Sequence, residues 1–275
     1  MPVNVCVIGS GSKGNCTAVW SKNTAVLIDA GRLSARYIKS SLSQIGLDIK
    51  DIDAVLITHC HTDHFSDSTY RLCHPTSIPV YCSVATWHGA MRRRSNKRLG
   101  ELRERKLLHR LPAEEFQVGD FKVTPFRVSH ATKMAAGEPV GYSLKSGRRK
   151  VSYATDLGHV TDKIVTHIKG SDILVIESNH DVEMERNSDR HPDTIEWVLG
   201  NTGHLSNIQC AKALSNILKS RKNPKNIVLA HLSEDCNTPE LALSSSREIL
   251  DSLNITDTDL TVACQKTPTS IMSID

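Results

Sequence analysis

His59-Cys60-His61-Thr62-Asp63-His64 follows directly on the run Ile52-Asp53-Ala54-Val55-Leu56-Ile57-Thr58. Four good metal ligands therefore fall within six positions, where a buried strand should end. A neutral imidazole offers a nitrogen and a carboxylate offers oxygens, a donor set that suits zinc, manganese or iron. His59 and His61 are two apart, so in extended backbone they point the same way. Asp63 and His64 come as the chain turns and can reach a second point a few ångströms off. One short loop can thus serve two metals.

Working outward, the same kind of residue recurs at the ends of other expected strands. Asp29 follows Ala25–Ile28, His130 follows Phe121–Val128, Asp156 follows Lys150–Ala154 and His231 follows Asn226–Ala230. A polar ligand-type residue at the same end of strand after strand is what a site on the rim of a sheet requires. The histidines at 74, 88, 109, 159, 167 and 191 lack that setting and read as structural. Further strands are expected at Val3–Ile8, Cys16–Trp20, Ala54–Ile57, Val140–Lys145, Asp172–Ile176 (which runs into Glu177) and Leu260–Ala263. Helices are expected at Ser34–Ile45, 83–91, 191–199, 206–218 and Thr238–Leu253. Strands come first in succession and later alternate with helices, which implies sheet layers covered by helices.

A chain of 275 residues can bury a full core as one large domain or two small ones. Eight cysteines are scattered with no Cys-x-x-Cys pair, which argues against a disulfide framework or a cysteine zinc knuckle. The amino terminus has no basic n-region, Val3–Ile8 is too short for a signal peptide, and no segment has the length of a membrane span. The chain reads as cytoplasmic, with no membrane partner. Its net charge of +4 is too mild to prove nucleic-acid binding but does not oppose a polyanionic substrate. One stretch is far more basic: from Arg92-Arg93-Arg94-Ser95-Asn96-Lys97-Arg98 through Arg103, Arg105, Lys106 and Arg110, nine Lys/Arg face only Glu101 and Glu104. It reads either as a DNA contact or as a solvated helix face.

Gly9, Gly11 and Gly14 satisfy G-x-G-x-x-G after a strand, with Asp29 twenty residues beyond Gly9. A dinucleotide site also needs a helix opening at the third glycine. The following Asn15-Cys16-Thr17-Ala18-Val19-Trp20 favours a strand instead. The loop then reads as a tight turn, or as a substrate loop placing Ser10, Ser12, Lys13 and Asn15 near phosphates.

His59-x-His61-x-Asp63-His64 with downstream His130, Asp156 and His231 resembles the metallo-β-lactamase fold, an α/β protein built as a four-layer αββα sandwich. Gly9-Ser10-Gly11-Ser12-Lys13-Gly14-Asn15-Cys16, Glu177-Ser178-Asn179-His180-Asp181 and Gly203-His204-Leu205-Ser206-Asn207 resemble the YycJ/WalJ family, regarded as metal-dependent 5′→3′ DNA exonucleases. The likeness runs from residue 3 to about 240 and implies one domain over 1–275. It implies that His59, His61 and His130 hold one metal, that Asp63, His64 and His231 hold the other, that Asp156 bridges, and that Asp29 orients the metal loop from behind. Two ions, zinc or manganese, would share a hydroxide that attacks a phosphodiester of DNA. Asp63, His204 and His180 are the expected catalytic residues. His204 is the expected proton donor or phosphate ligand, since a similar glycine-histidine-serine segment occurs in tRNase Z proteins. Ser206 would cap helix 206–218, and Ser206 and Asn207 would meet an anion at its start. A plain helix cap is the other reading of that segment. His130-Ala131-Thr132 departs from the family, which places Asp after the third histidine. An RNase, a small-molecule phosphodiesterase, or a thioester or lactam hydrolase remains open on the same fold. A non-enzymatic module is disfavoured because all seven ligand positions are filled.

Overall fold

The computed structural model describes residues 2–93, 96–130, 137–219 and 222–275. The first half runs β1 (Val3–Gly9), β2 (Cys16–Trp20), β3 (Ala25–Ile28), α1 (Ala35–Gln44), β4 (Ile52–Leu56), α2 (Asp67–Thr76), β5 (Val80–Cys82), α3 (Val84–Met91), α4 (Leu99–Glu104) and β6 (Leu108–Arg110). The second runs β7 (Phe116–Val118), β8 (Phe121–Arg127), β9 (Val140–Ser146), β10 (Arg149–Ala154), α5 (Asp162–Ile168), β11 (Ile173–Glu177), α6 (Val182–Arg186), α7 (Pro192–Leu199), α8 (Asn207–Ile217), β12 (Asn226–Ala230), α9 (Pro239–Ser252), β13 (Asp259–Val262) and β14 (Met272–Ile274). The strands form two mixed sheets, in the orders β14-β1-β2-β3-β4-β5-β6 and β13-β12-β11-β10-β9-β8-β7, so that β14 alone of the second half joins the first sheet.

The strands are apolar on both faces because each sheet is covered twice. In β1, Val5 and Val7 point between the sheets while Cys6 and Ile8 point to the helices α1 and α2. In β11, Ile173 and Val175 face inward and Leu174 and Ile176 face α5 and α8. The alternation repeats in β3 and β12, giving three apolar layers and the expected αββα order. Parallel pairing of β3, β4, β5 and β6, and of β10, β11, β12 and β13, aligns their carboxyl ends along one rim. β8 is antiparallel to β9, as β9 is to β10, so it runs the same way as β10 and brings His130 to that rim with the other strand-end candidates.

Several elements escape the sequence pattern. α2 carries Pro75 in its last turn, and a proline ordinarily stops a helical reading. β5, β6, β7 and β14 are three residues each, too short to display a period. β14 closes the first sheet by pairing antiparallel with β1, Val3 opposite Ile274. Just before it, Cys264 O accepts from Ser10 N (3.0 Å) and Gln265 bonds both Lys13 N (2.7 Å) and Gly14 O (2.8 Å). The glycine loop is thus pinned by the far end of the chain. β2 follows it directly, so no helix opens there and the dinucleotide reading fails.

Five of the six histidines read as structural make local contacts. His109 stacks on Tyr81 and His167 on Phe126, His159 bonds Asn201 O, His191 caps α7, and His74 lies against Tyr70.

Three loops lock together beside the rim. Asn15 N donates to Asp63 O (2.8 Å), Ala30 N to His64 O (3.2 Å) and Asp29 N to Leu56 O (2.9 Å). Gly31 sits inside this weave. A Cβ added there would lie 2.3 Å from both Asp63 C and His64 N, where both neighbours are backbone and cannot step aside cheaply. Gly31→Ala is expected to cost about 1–3 kcal/mol, as overpacking does. It should also weaken binding at the donors on this loop. Urea unfolding with metal titration checks both; a variant with unchanged stability and affinity contradicts the close packing.

Candidate metal centre

Local backbone strain swings three rim residues into place. Asp29, Asp156 and His231 each adopt a left-handed conformation, with φ of 60°, 57° and 57°. Non-glycine residues occupy that region rarely and at a cost of about 1–3 kcal/mol, and such residues concentrate at functional sites. Each stands at the end of a strand that would otherwise run straight past the pocket.

The donors gather in two groups. His59 Nε2, His61 Nδ1 and His130 Nε2 form one, with His61 Nδ1 2.8 Å from His59 Nε2 and 3.2 Å from His130 Nε2. Asp63 Oδ2, His64 Nε2 and His231 Nε2 form the other, at 3.3 and 3.5 Å from the carboxylate oxygen. Asp156 stands between them. Its Oδ1 is 4.0 Å from His59 Nε2, 3.9 Å from His130 Nε2 and 3.5 Å from His231 Nε2, and its Oδ2 is 3.3 Å from His64 Nε2. Donors held about 2.0–2.1 Å from a tetrahedral zinc lie roughly 3.3–3.4 Å apart, within the spread seen here. Asp156 Oδ2 and His231 Nε2 are buried and make no hydrogen bond among the described residues. Such orphaned atoms cost about 1–3 kcal/mol each, and a divalent cation removes that cost. The donor set fits two metal ions.

The surroundings decide which nitrogen of each ring faces inward. His64 Nδ1 donates to Asp29 Oδ2 (2.7 Å), His130 Nδ1 to Gly203 O (2.9 Å), His231 Nδ1 to Glu177 Oε1 (3.1 Å) and His59 Nδ1 to Thr58 Oγ1 (3.0 Å). This network assigns the tautomer and leaves each Nε2 lone pair toward the centre. Asp29 is itself held by Thr58 N and Thr58 Oγ1, both at 2.8 Å.

Glu177 received no role from the sequence, yet it organises one wall. Fully buried, it accepts from His204 Nδ1 (2.8 Å), His231 Nδ1, Leu157 N (3.0 Å) and Leu205 N (3.1 Å). The signal was available, since Glu177 ends its strand just as the ligands end theirs. His204 lies with its ring centroid 4.9 Å from that of His130 and 5.3 Å from that of His231. The Trp197 indole flanks both His130 and His204.

Other expected site residues sit elsewhere than at a substrate. Ser10 is buried, and its Oγ accepts from His231 N (2.8 Å), so it braces a ligand. Asn15 is buried with its amide on Gly11 O, Asp63 and His64 Nε2. Ser206 is spent in a capping box with Gln209, and Asn207 is buried against Ser178 and Asn237. These four side chains are consumed by internal bonds, which corrects the expectation that they face substrate. Ser12 and Lys13 are exposed, with Lys13 paired to Glu234. His180 is fully buried, lies outside every donor group and makes no side-chain hydrogen bond among the described residues. Burial pushes it down to about 4, so it is a neutral ring beneath the site rather than a group open to substrate. Ala131 and Thr132, where the sequence departs from its family, lie outside the described residues, as do Arg94 and Ser95.

Comparison with known proteins agrees with this geometry. A family model described as a beta-lactamase superfamily domain matches residues 24–231. The solved metallo-beta-lactamase fold protein YhfI from Bacillus subtilis superposes with a TM-score of 0.69 over 99% of both chains, at 15% identity. The exodeoxyribonuclease YycJ of Bacillus anthracis is 34% identical over 91% of this chain and 90% of its own length. The exodeoxyribonuclease WalJ of Streptococcus pneumoniae is 32% identical over 86% of this chain and 84% of its own. The chain belongs to the beta-lactamase superfamily and, within it, to the YycJ/WalJ family.

The two donor groups differ in the protons they carry. Burial and neighbouring imidazoles push His61 down to about 3 and His130 to about 4, and they hold His59 well below its usual value. Burial also disfavours charge on His64 and His231, but Asp156, Asp63, Asp29 and Glu177 outweigh it. His64 ends well above its usual value and His231 at about 10. A metal entering the first group meets neutral rings, whereas one entering the second must displace protons. Affinity of the second group should therefore rise with pH across neutrality while that of the first stays flat. Calorimetric metal titration in buffers of different ionisation enthalpy counts the protons. Equal release at both steps contradicts the assignment.

Proposed function

We propose that this chain is a two-metal phosphodiesterase that degrades DNA as a 5′→3′ exonuclease. The observation that carries the reading is the pair of facing donor groups with Asp156 between them and His204 at their edge. The names of the relatives, both exodeoxyribonucleases and both over 30% identical, support a DNA substrate.

His59, His61 and His130 would hold one ion and Asp63, His64 and His231 the other, with Asp156 shared; zinc and manganese both suit these donors. When bound, such ions polarise phosphoryl oxygens and lower the pKa of water from about 15.7 towards roughly 7. The chain supplies the rest. Asp63, with 16% of its side chain exposed, is the more open of the two carboxylates in the donor groups and would orient an incoming water. His204 has Nδ1 committed to Glu177, which leaves Nε2 to give a proton to the leaving oxygen or to bind a phosphate oxygen. Exposed Ser12 and Lys13 would meet phosphates beside the rim. The Arg93 guanidinium lies near enough to the Cys60 thiol to oppose the upward push of burial on it, so the basic segment reaches the metal loop. Arg92 and Arg93 would there contact the backbone of the DNA. No helix among the described residues is long and apolar enough to cross a membrane. A single domain over 1–275 is supported by the apolar layer that both sheets share.

End-labelled duplex, single-stranded DNA and RNA, offered to protein loaded with manganese or with zinc, test the reading, with Asp63→Ala as control. Mononucleotides released from the 5′ end by the parent and not by the variant are expected. No cleavage of any polymer at full metal occupancy overturns the reading in favour of a small phosphodiester substrate. His204→Ala should lower turnover by about 10²–10⁴ with metal content intact; undiminished turnover removes His204 from the chemistry.

A further inference from the structure

Two clefts meet along the edge of the first sheet where β6, among the described residues, has β5 on one side only. One, of about 250 Å³, lies between the end of β6 and the second sheet, and its walls include Val84, Arg110, Leu111, Phe126 and Arg127. The other, of about 260 Å³, lies between α3, α4 and β6, and its walls include Trp87, His88, Arg103 and His109. Val84 and Arg110 belong to both, so the two form one groove. Its inner end adjoins the metal loop, because Val140, in the wall of the first cleft, donates its N–H to Thr58 O (3.1 Å), one residue before His59.

The lining has an unusual composition. Arg103, Arg110 and Arg127 are exposed, as are the imidazoles of His88 and His109. Glu138 is the one acid in either wall among the described residues, and it is paired with Arg127 at 2.8 Å. Beside the arginines lies apolar surface, with Val84 49% exposed and Trp87, Leu111 and Phe126 buried behind it. Each kind of lining suits a different part of one ligand. Cations follow a phosphodiester backbone, whereas apolar and aromatic walls take the flat faces of unpaired bases. A duplex hides those faces inside its stack and would leave the apolar lining unused.

We infer that this groove carries a single-stranded segment of polynucleotide, backbone on Arg103, Arg110 and Arg127 and bases toward the apolar surface at Val84, leading to the metal loop. The inference rests on the nuclease reading and adds the route by which the strand arrives. It also predicts preference for a single-stranded end over a blunt duplex.

The test uses metal-loaded full-length protein and a phosphorothioate oligodeoxythymidylate of about twelve nucleotides, a length within the range that single-strand sites span. The phosphorothioate resists cleavage, so anisotropy reads binding alone. The Arg103→Ala/Arg110→Ala double variant should bind at least tenfold more weakly, with a salt slope shallower by about 1.4, or about 0.7 per lost phosphate contact on a single strand. Val84→Asp should weaken binding while every arginine stays. Hydrolysis of a thymidine dinucleotide, too short to reach the groove, should be unchanged in both. Circular dichroism and metal content show that each variant is folded. Unchanged affinity and slope in both variants overturn the inference, and so does an equal loss for blunt duplex, which would mean a general positive field. A parent protein that binds the strand through these arginines yet hydrolyses no polynucleotide sinks the nuclease reading and leaves the groove. One that hydrolyses DNA while the variants match it sinks the groove alone.

Discussion

Hydrogen bonds from imidazole Nδ1 atoms to buried acceptors are the constraint on which the rest depends. Six imidazoles, of His59, His61, His64, His130, His204 and His231, crowd one pocket with four carboxylates, of Asp29, Asp63, Asp156 and Glu177. Left alone, that many rings at separations near 3 Å would repel when protonated and orient at random when neutral. Fixing Nδ1 on His64, His204 and His231 to a carboxylate, and on His130 to a carbonyl, removes the choice. Glu177 couples two of the rings, so His231 in one donor group and His204 outside both move as a unit.

The fold delivers these groups by bringing equivalent strand ends to one rim. A parallel strand buried on both faces cannot place a polar side chain along its length without burying it unpaired. The first or second position past the strand can, if the backbone turns sharply. Left-handed φ at Asp29, Asp156 and His231 is that turn repeated three times, on β3, β10 and β12. The strain is local and is held by the packing beneath, as at Gly31, where two loop backbones meet without room for a methyl group.

Much of this was legible in the sequence, for reasons that can be named. A metal loop needs dense ligands next to an apolar run, and His59 to His64 after Ile52–Ile57 satisfies both in one short window. Lone candidates such as Asp156 and His231 became readable because they share a position relative to their strands. Glu177 shared it too, but a strand-end glutamate among many surface acids carries no mark of burial, and its partners lie 27 and 54 residues away. Ser10 and Asn15 in the glycine loop, and the segment Ser206–Asn207, misled in the opposite direction. Polar residues beside a glycine or a helix start suit a substrate loop, but they suit a brace equally. Burial decides between the two, and burial is set by what packs above: Cys264 and Gln265 for the first, Asn237 for the second.

The return of the carboxyl-terminal segment to the glycine loop gives the site an order of assembly. Asn15 steadies Asp63 and His64, the loop carrying Asn15 is held by Gln265, and β1 gains its outer neighbour only from Met272–Ile274. A ribosome makes Asn15 and the metal loop long before their clamp, since Gln265 and Gly14 are 251 residues apart. The pocket's final geometry therefore waits on a segment made well after the metal loop, and a nascent chain that already owns every ligand still lacks the clasp that sets them.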